Sequence, residues 1–259
     1  MKIVSWNVNS LKVRLPQVVD WINLNKPDIL CLQETKQNND SFPHDVFKKN
    51  GLFSYHNGQN TYNGVAIISN KELIDIKLNV PKFHDEQKRL ISGVYINGNN
   101  KYRIFSAYIP NGQTLNSEKF KYKVDWLDSF LSSLKKKDKN VENIITGDFN
   151  IAPTRLDCYE SKNWGEKILT SPLEREYFNK FFKLGYIDTF RTLNPNDIEF
   201  SWWDYRIPFK RNLGMRIDHI LLSKNLLPFL KKAYIDKSTR SLERPSDHVP
   251  VVTELDLNS

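Results

Sequence analysis

Several short polar side chains stand where an apolar run stops. Asn7 and Asn9 follow Ile3-Val4, and Glu34 follows Ile29-Leu30-Cys31-Leu32. Tyr108 precedes Ile109-Pro110-Asn111-Gly112, and Asp148 and Asn150 follow Ile144-Ile145-Thr146-Gly147. Asp218 stands beside Ile217 and Ile220, and Asp247-His248 opens the last apolar run. Taken singly, each is an ordinary strand terminator or turn former. As a set they suggest chemistry. Residues i and i+2 of an extended segment face the same side, so Asp148 and Asn150 can address one point, and Asn7 and Asn9 share that spacing. If Glu34, Asp148 and Asp247 converge with His248, they form a hard-oxygen site suited to Mg²⁺ or Mn²⁺ rather than zinc. A carboxylate-held ion with open positions is a phosphate-binding arrangement.

The elements that must position these groups can be read from the pattern. Residues 2–8, 28–33, 64–69, 90–96, 102–108, 143–148, 199–203, 216–222 and 248–254 read as strands. Asn97-Gly98-Asn99-Asn100 reads as a hairpin turn. Val18, Val19 and Ile22 suggest a short helix ending before Pro27. Phe120, Val124, Leu127, Leu131 and Leu134 mark one face of a longer helix, with the run Lys135-Lys136-Lys137-Asp138-Lys139 as its solvated end. Ser171-Pro172-Leu173-Glu174 is a helix start of capping-box type, and Gly185 closes that helix. The mixture argues for α/β or α+β with mixed sheets.

The chain of 259 residues has a net charge of +8 and a pI near 9.2. It is 39% hydrophobic, enough for a substantial core, which excludes disorder, collagen and coiled coil. No run of 18 apolar residues predicts a membrane span, and the N-terminus lacks the apolar stretch of a signal peptide. Only Cys31 and Cys158 are present, so the expected setting is reducing and cytoplasmic, with both cysteines as packing residues. A basic surface attracts polyanions such as nucleic acid.

Blocks spread along the whole chain then carry a specific resemblance. LQETK (32–36), YIPNG (108–112), GDFNIAP (147–153), SWWDYR (201–206), LGMRIDHILLS (213–223) and PSDHVPV (245–251) occur in the order of one family. The sequence resembles the exonuclease III family of apurinic/apyrimidinic endonucleases, within the deoxyribonuclease I-like superfamily, and SEKFKYK (117–123) resembles its bacterial branch. The resemblance implies a single domain over residues 1–259, a four-layer α/β/β/α sandwich of two packed mixed sheets flanked by helices. It implies Mg²⁺-dependent hydrolysis of duplex DNA 5′ to an abasic site, with 3′-exonuclease and 3′-phosphatase activity, by a monomer. The alternative is a related phosphoester: a 3′ end alone, RNA, a phospholipid or an inositol phosphate.

Residue by residue, the resemblance makes Glu34 the principal metal ligand, with Asn7 and Asp247 beside it, direct or through water. Asp148 orients or deprotonates the attacking water, or protonates the leaving group, and Asn150 positions it. His248 contacts phosphate with Asp218 as its carboxylate partner, and Tyr108 stands near the phosphate. Asn111 contacts DNA, while Trp202, Met215 and Ile217 enclose the abasic sugar. Arg89, Lys119, Lys121, Arg206, Arg211 and Arg216 are candidate phosphate contacts. Trp6, Trp203 and His219 are expected to be structural. Asn9 departs from relatives that carry Asp there, which argues for one metal. The balance of endonuclease and exonuclease action is expected to lie in the loops 155–170 and 204–214.

Overall fold

The computed structural model describes residues 1–136, 138, 140–159, 165 and 167–257. The chain enters through β1 (Lys2–Asn7), α1 (Leu11–Asn25), β2 (Ile29–Gln33), α2 (His44–Lys49), β3 (Phe53–Asn57) and β4 (Val65–Ser69). It continues with β5 (Ile74–Leu78), β6 (Leu90–Asn97), β7 (Asn100–Tyr108), α3 (Glu118–Leu134), β8 (Val141–Asp148), α4 (Pro172–Lys183), β9 (Tyr186–Asp188) and α5 (Thr189–Leu193). Two short strands, β10 (Trp202–Trp203) and β11 (Gly214–Met215), precede β12 (Asp218–Ser223), β13 (Leu230–Ile235) and β14 (Val251–Leu255).

The strands form two six-stranded sheets, ordered β13-β14-β1-β2-β4-β3 and β5-β6-β7-β8-β12-β9. Each is mixed: β1 runs parallel to β2 and β7 to β8, while the other pairs are antiparallel. Ile3, Ile29, Cys31 and Ile67 of one sheet pack against Ile91, Ile104, Ile144 and Ile220 of the other. On the outer faces, α1 and α2 cover Val4, Trp6 and Leu30, while α3 and α4 cover Phe105, Ile145 and Leu221. The result is the four-layer α/β sandwich. A strand covered on both faces needs no polar alternation, which is why Ile3-Val4 of β1, Ile29-Leu30-Cys31-Leu32 of β2 and Ile144-Ile145 of β8 stand as consecutive apolar residues.

Local signals account for the best-defined ends. Ser171 and Glu174 cap each other's backbone N–H at 3.3 and 3.1 Å, Pro172 opens α4, and Gly185 follows at φ +85°. Gly98 turns the β6–β7 hairpin at φ +59°. Gly147 is required by packing: a Cβ there would lie 1.9 Å from Ala107 O, across the β7–β8 ladder.

Several boundaries differ from the sequence reading. The expected strand 199–203 shrinks to Trp202–Trp203, because the Ser201 N–H and C=O bond Met215 and Val249 across different neighbours. The expected strand 216–222 starts at Asp218 and the last strand at Val251, after Pro250. Helix α1 begins at Leu11, well before Val18, with Pro16 inside it. Strands β3, β5, β9 and β13 had no sequence signal strong enough to mark them. All four are sheet edges, where one flank faces solvent and the apolar demand is lower. Lys137 and Lys139 of the lysine run, and 160–164 and 166 of the 155–170 loop, lie outside the described residues. Among the described residues, no helix is long and apolar enough to cross a membrane.

Candidate active site

Parallel pairing fixes which end of each sheet carries the polar groups. In the β1–β2 pair, Asn7 lies beside Gln33, so Glu34 emerges next to Asn7. In the β7–β8 pair, Tyr108 lies beside Asp148, and antiparallel β12 places Asp218 opposite Asp148. The two sheet ends meet through Asn7, whose Nδ2 donates to Glu34 Oε1 and to Asp148 Oδ2, both at 2.9 Å. Glu34, Asn9, Lys36 and Asn150 all stand at positive φ, between +41° and +54°. Such conformations cost non-glycine residues energy and gather at functional sites.

Ligand atoms of Glu34, Asp148 and His248 lie within 4.8 Å of one another. Tyr108 OH donates to Glu34 Oε1 at 2.9 Å, and Lys36 Nζ sits 2.9 Å from Glu34 Oε2. His248 Nδ1 is 2.8 Å from Asp218 Oδ2, and its Nε2 is 3.8 Å from Asp148 Oδ2. Ser201, which the sequence reading missed, donates its hydroxyl to the same Asp218 oxygen at 2.6 Å. Asp148 Oδ1 accepts from Asn150 N, and Asn150 Oδ1 accepts from Asn111 Nδ2, each at 2.9 Å.

Electrostatics separates these groups into roles. Burial opposes charge on His248, but the carboxylates of Asp218 and Asp148 outweigh it and lift the imidazole to about 10. His248 is therefore a cation, and a protonated imidazole is no metal ligand. Burial, reinforced by the Asp218 charge, pushes the Asp148 carboxyl up to about 7 against the pull of His248 and Asn7. Burial also acts to raise Glu34, yet the Lys36 ammonium and the Asn7 amide hold it below its ordinary value. Tyr108 is driven well above the ordinary phenol range by burial and then by Glu34, so it is a hydrogen-bond donor. What remains for a cation is a carboxylate and amide set, which fits a hard divalent ion.

Asp247 stands apart from this cluster. Its Oδ1 accepts from Asn9 Nδ2 and its Oδ2 from Trp202 Nε1, both at 3.0 Å. Trp202, Met215 and Ile217 do meet, in a small apolar cluster with Ala152, Cys158 and Leu169. The Trp202 ring centroid lies 6.5 Å from that of His248. On the other side, a cleft of about 450 Å³ is lined by Arg89, Tyr108, Asn111, Lys119 and Tyr122. The Arg89 guanidinium stacks 4.7 Å from the Tyr108 ring centroid. Lys121 and Arg211 are exposed, and the exposed Arg206 folds back onto Asp204.

One expectation is overturned. Arg216 is fully buried, paired with Asp157 and Asp188, and cannot touch a phosphate. Trp6 and Trp203 are buried, and His219 is enclosed between Arg216 and the Ile151 carbonyl. Burial pushes the Cys31 thiol up to about 12, so it is inert packing between the sheets.

The sequence model of the Endonuclease/Exonuclease/phosphatase family matches residues 4–248, from inside β1 to the site histidine. The chain belongs to this family. Among family members, exodeoxyribonuclease III of Haemophilus influenzae is 35% identical over 266 aligned residues, covering 98% of this chain and 99% of that protein. The 3′ phosphatase NExo from Neisseria, solved with a product DNA hairpin, superposes with a TM-score of 0.95 at 42% identity over 99% of both chains. An AP endonuclease from Archaeoglobus fulgidus gives 0.93 at 34% identity, over 99% of this chain and 100% of that one. The family is one of metal-dependent nucleases, and this chain carries an acidic cluster that could hold a metal ion.

Proposed function

We propose that the protein is a DNA-repair nuclease that hydrolyses the phosphodiester 5′ to an abasic site in duplex DNA, leaving a 3′-hydroxyl and a 5′-deoxyribose phosphate. The same site trims 3′ ends as an exonuclease and 3′-phosphatase, the activities named for the Neisseria relatives. The observation that carries this reading is the convergence of Glu34, Asp148 and cationic His248 within 4.8 Å, beside the apolar cluster of Trp202, Met215 and Ile217.

Mg²⁺, with Mn²⁺ as substitute, is the proposed ion. Glu34 and the neighbouring amide and carboxylate oxygens would hold it, and it would neutralise the scissile phosphate. The chain's own groups do the rest. His248 and the Tyr108 hydroxyl donate to phosphate oxygens, and Asp218 with Ser201 locks the imidazole in the orientation that aims Nε2 at the site. Asp148, oriented by Asn7 and Asn150, takes the proton of the attacking water. A sugar without a base unstacks cheaply and fits against Trp202, whereas an intact base would clash. The net charge of +8 supports binding to a polyanion.

The deciding experiment uses a duplex oligonucleotide with one tetrahydrofuran abasic analogue. Incision 5′ to the analogue is expected with Mg²⁺ or Mn²⁺ and is expected to stop with chelator. No incision, or incision indifferent to chelator, would sink the reading. Replacing Trp202 by alanine is expected to narrow the preference for abasic over base-bearing nucleotides by about tenfold. Competition between the two duplexes measures it, and an unchanged preference would remove Trp202 from the pocket.

A further inference from the structure

Lys123 lies in the second turn of α3 and is fully buried. A buried ammonium is costly unless each donor is used, and here each is. Nζ donates to the Asn150 carbonyl at 2.8 Å and the Asn111 carbonyl at 3.3 Å, and pairs with Glu174 Oε1. The two carbonyls belong to the two loops that supply the site's asparagines. Their side chains meet in the Asn111 Nδ2 to Asn150 Oδ1 bond at 2.9 Å, and Asn150 N holds Asp148 Oδ1. Asn150 also sits at φ +50°, a conformation that needs outside support. Glu174 in turn accepts from the Leu169 N–H, and Leu169 packs in the Trp202 cluster. Gly112 lets the loop approach: a Cβ there would lie 3.2 Å from Lys123 Cδ.

We propose that Lys123 is a positioning residue for cleavage: its ammonium pins the Asn111 and Asn150 carbonyls, and thereby fixes the Asp148 carboxylate and both amides. The inference rests on the nuclease reading of the site. Its placement is specific, because an apolar side chain of equal length would leave the buried Asn150 carbonyl and the part-buried Asn111 carbonyl without this donor.

Three variants test it: Lys123→Met, Lys123→Met with Glu174→Gln, and Glu174→Gln alone. Each is assayed for incision of the abasic duplex well below its own melting temperature. Both Lys123 variants are expected to lose about 10- to 100-fold in kcat, with duplex affinity held within threefold. The side-chain amide resonances of Asn111 and Asn150 are expected to move in both. The double variant carries no unpaired buried charge, so it is expected to melt above the single one while kcat stays low. In Glu174→Gln the ammonium keeps both carbonyls, but an amide NH₂ replaces one of the two oxygens that accept from Lys123, Leu169 N, Ser171 N and Ser171 Oγ, so this variant is expected to melt below wild type while the Asn111 and Asn150 amide resonances stay in place. A double variant with recovered melting temperature and kcat within twofold of wild type would overturn the inference, as would unmoved amide resonances in the Lys123 variants or moved ones in Glu174→Gln alone. If the wild-type protein does not incise, the nuclease reading fails, and the amide resonances still decide whether Lys123 holds the loops.

Discussion

Replacing Asp148 by asparagine abolishes cleavage, with an expected loss of about 10³-fold or more, while the protein stays folded and still binds duplex DNA. Asparagine has the same shape, but its amide cannot take a proton. Its NH₂ also faces a donor, since Asp148 receives Asn7 Nδ2 on one oxygen and Asn150 N on the other. Stability moves in the opposite direction. Burial, then Asp218, raises the folded-state pKa of Asp148 from its ordinary carboxyl value to about 7. A raised folded pKa gives stability that is complete below the unfolded value and lost as pH rises through the folded one. In metal-free protein the ionised carboxylate is therefore a growing burden between pH 4 and 7. The asparagine variant lacks that dependence, so its melting temperature should gain on wild type across this window. His248 responds as well: without the Asp148 carboxylate, its pKa of about 10 falls. Single-turnover incision and melting curves in chelator from pH 4 to 9 measure both effects. A variant that cleaves within tenfold of wild type would remove Asp148 from the chemistry.

Much of this site was legible because its groups lie at the ends of buried strands. Short apolar runs locate the sheet ends, but the i, i+2 pairs are not extended: Asn9 and Asn150 stand at positive φ past the strand ends, and Asn7 Oδ1 and Asp148 Oδ1 accept their backbone N–H. The capping box of α4 was legible because it spans four residues. Contacts between distant elements were not. Nothing local distinguishes Ser201, which ties Asp218, from any other serine. The Asp247–Trp202 bond joins residues far apart in sequence, and nothing local announces that Asp247 accepts from the indole N–H. Lys121 and Lys123 stand two apart in one lysine-rich stretch, yet one is solvated and the other is buried against Glu174. A helix turns about 200° between such neighbours, so their fates diverge. The edge strands were missed because their side chains answer to solvent on one flank.

Arg216 shows the same blindness at its largest scale, and its replacement by methionine is expected to be the most destabilising change. Its Nε lies 2.7 Å from Asp157 Oδ1, and its Nη1 lies 2.8 Å from Asp188 Oδ2 and 3.0 Å from His219 Nδ1. The guanidinium stands 5.1 Å from the Phe190 ring centroid. Burial works to raise both aspartates, and Arg216 overcomes it and holds both below the usual carboxylate range. Methionine keeps the stem but removes the guanidinium from two buried carboxylates, leaving Asp157 with Arg191 and the Thr154 donors and Asp188 with the Arg191 N–H. Breaking a buried pair in this way costs about 3–5 kcal/mol, which for a chain of this size lowers the melting temperature by roughly 10 °C. In wild type the depressed aspartates contribute stability that is present above about pH 4 and lost as pH falls further. In the variant their pKa values rise, so the gap from wild type should be widest at neutral pH and narrow in acid. Because Arg216 holds Asp157 and Asp188 rather than phosphate, the salt dependence of duplex binding should not change, whereas removing a phosphate contact lowers the slope by about one. A variant that melts within 2 °C of wild type but shows a reduced salt slope would return Arg216 to the DNA and leave the buried aspartates without a counter-ion.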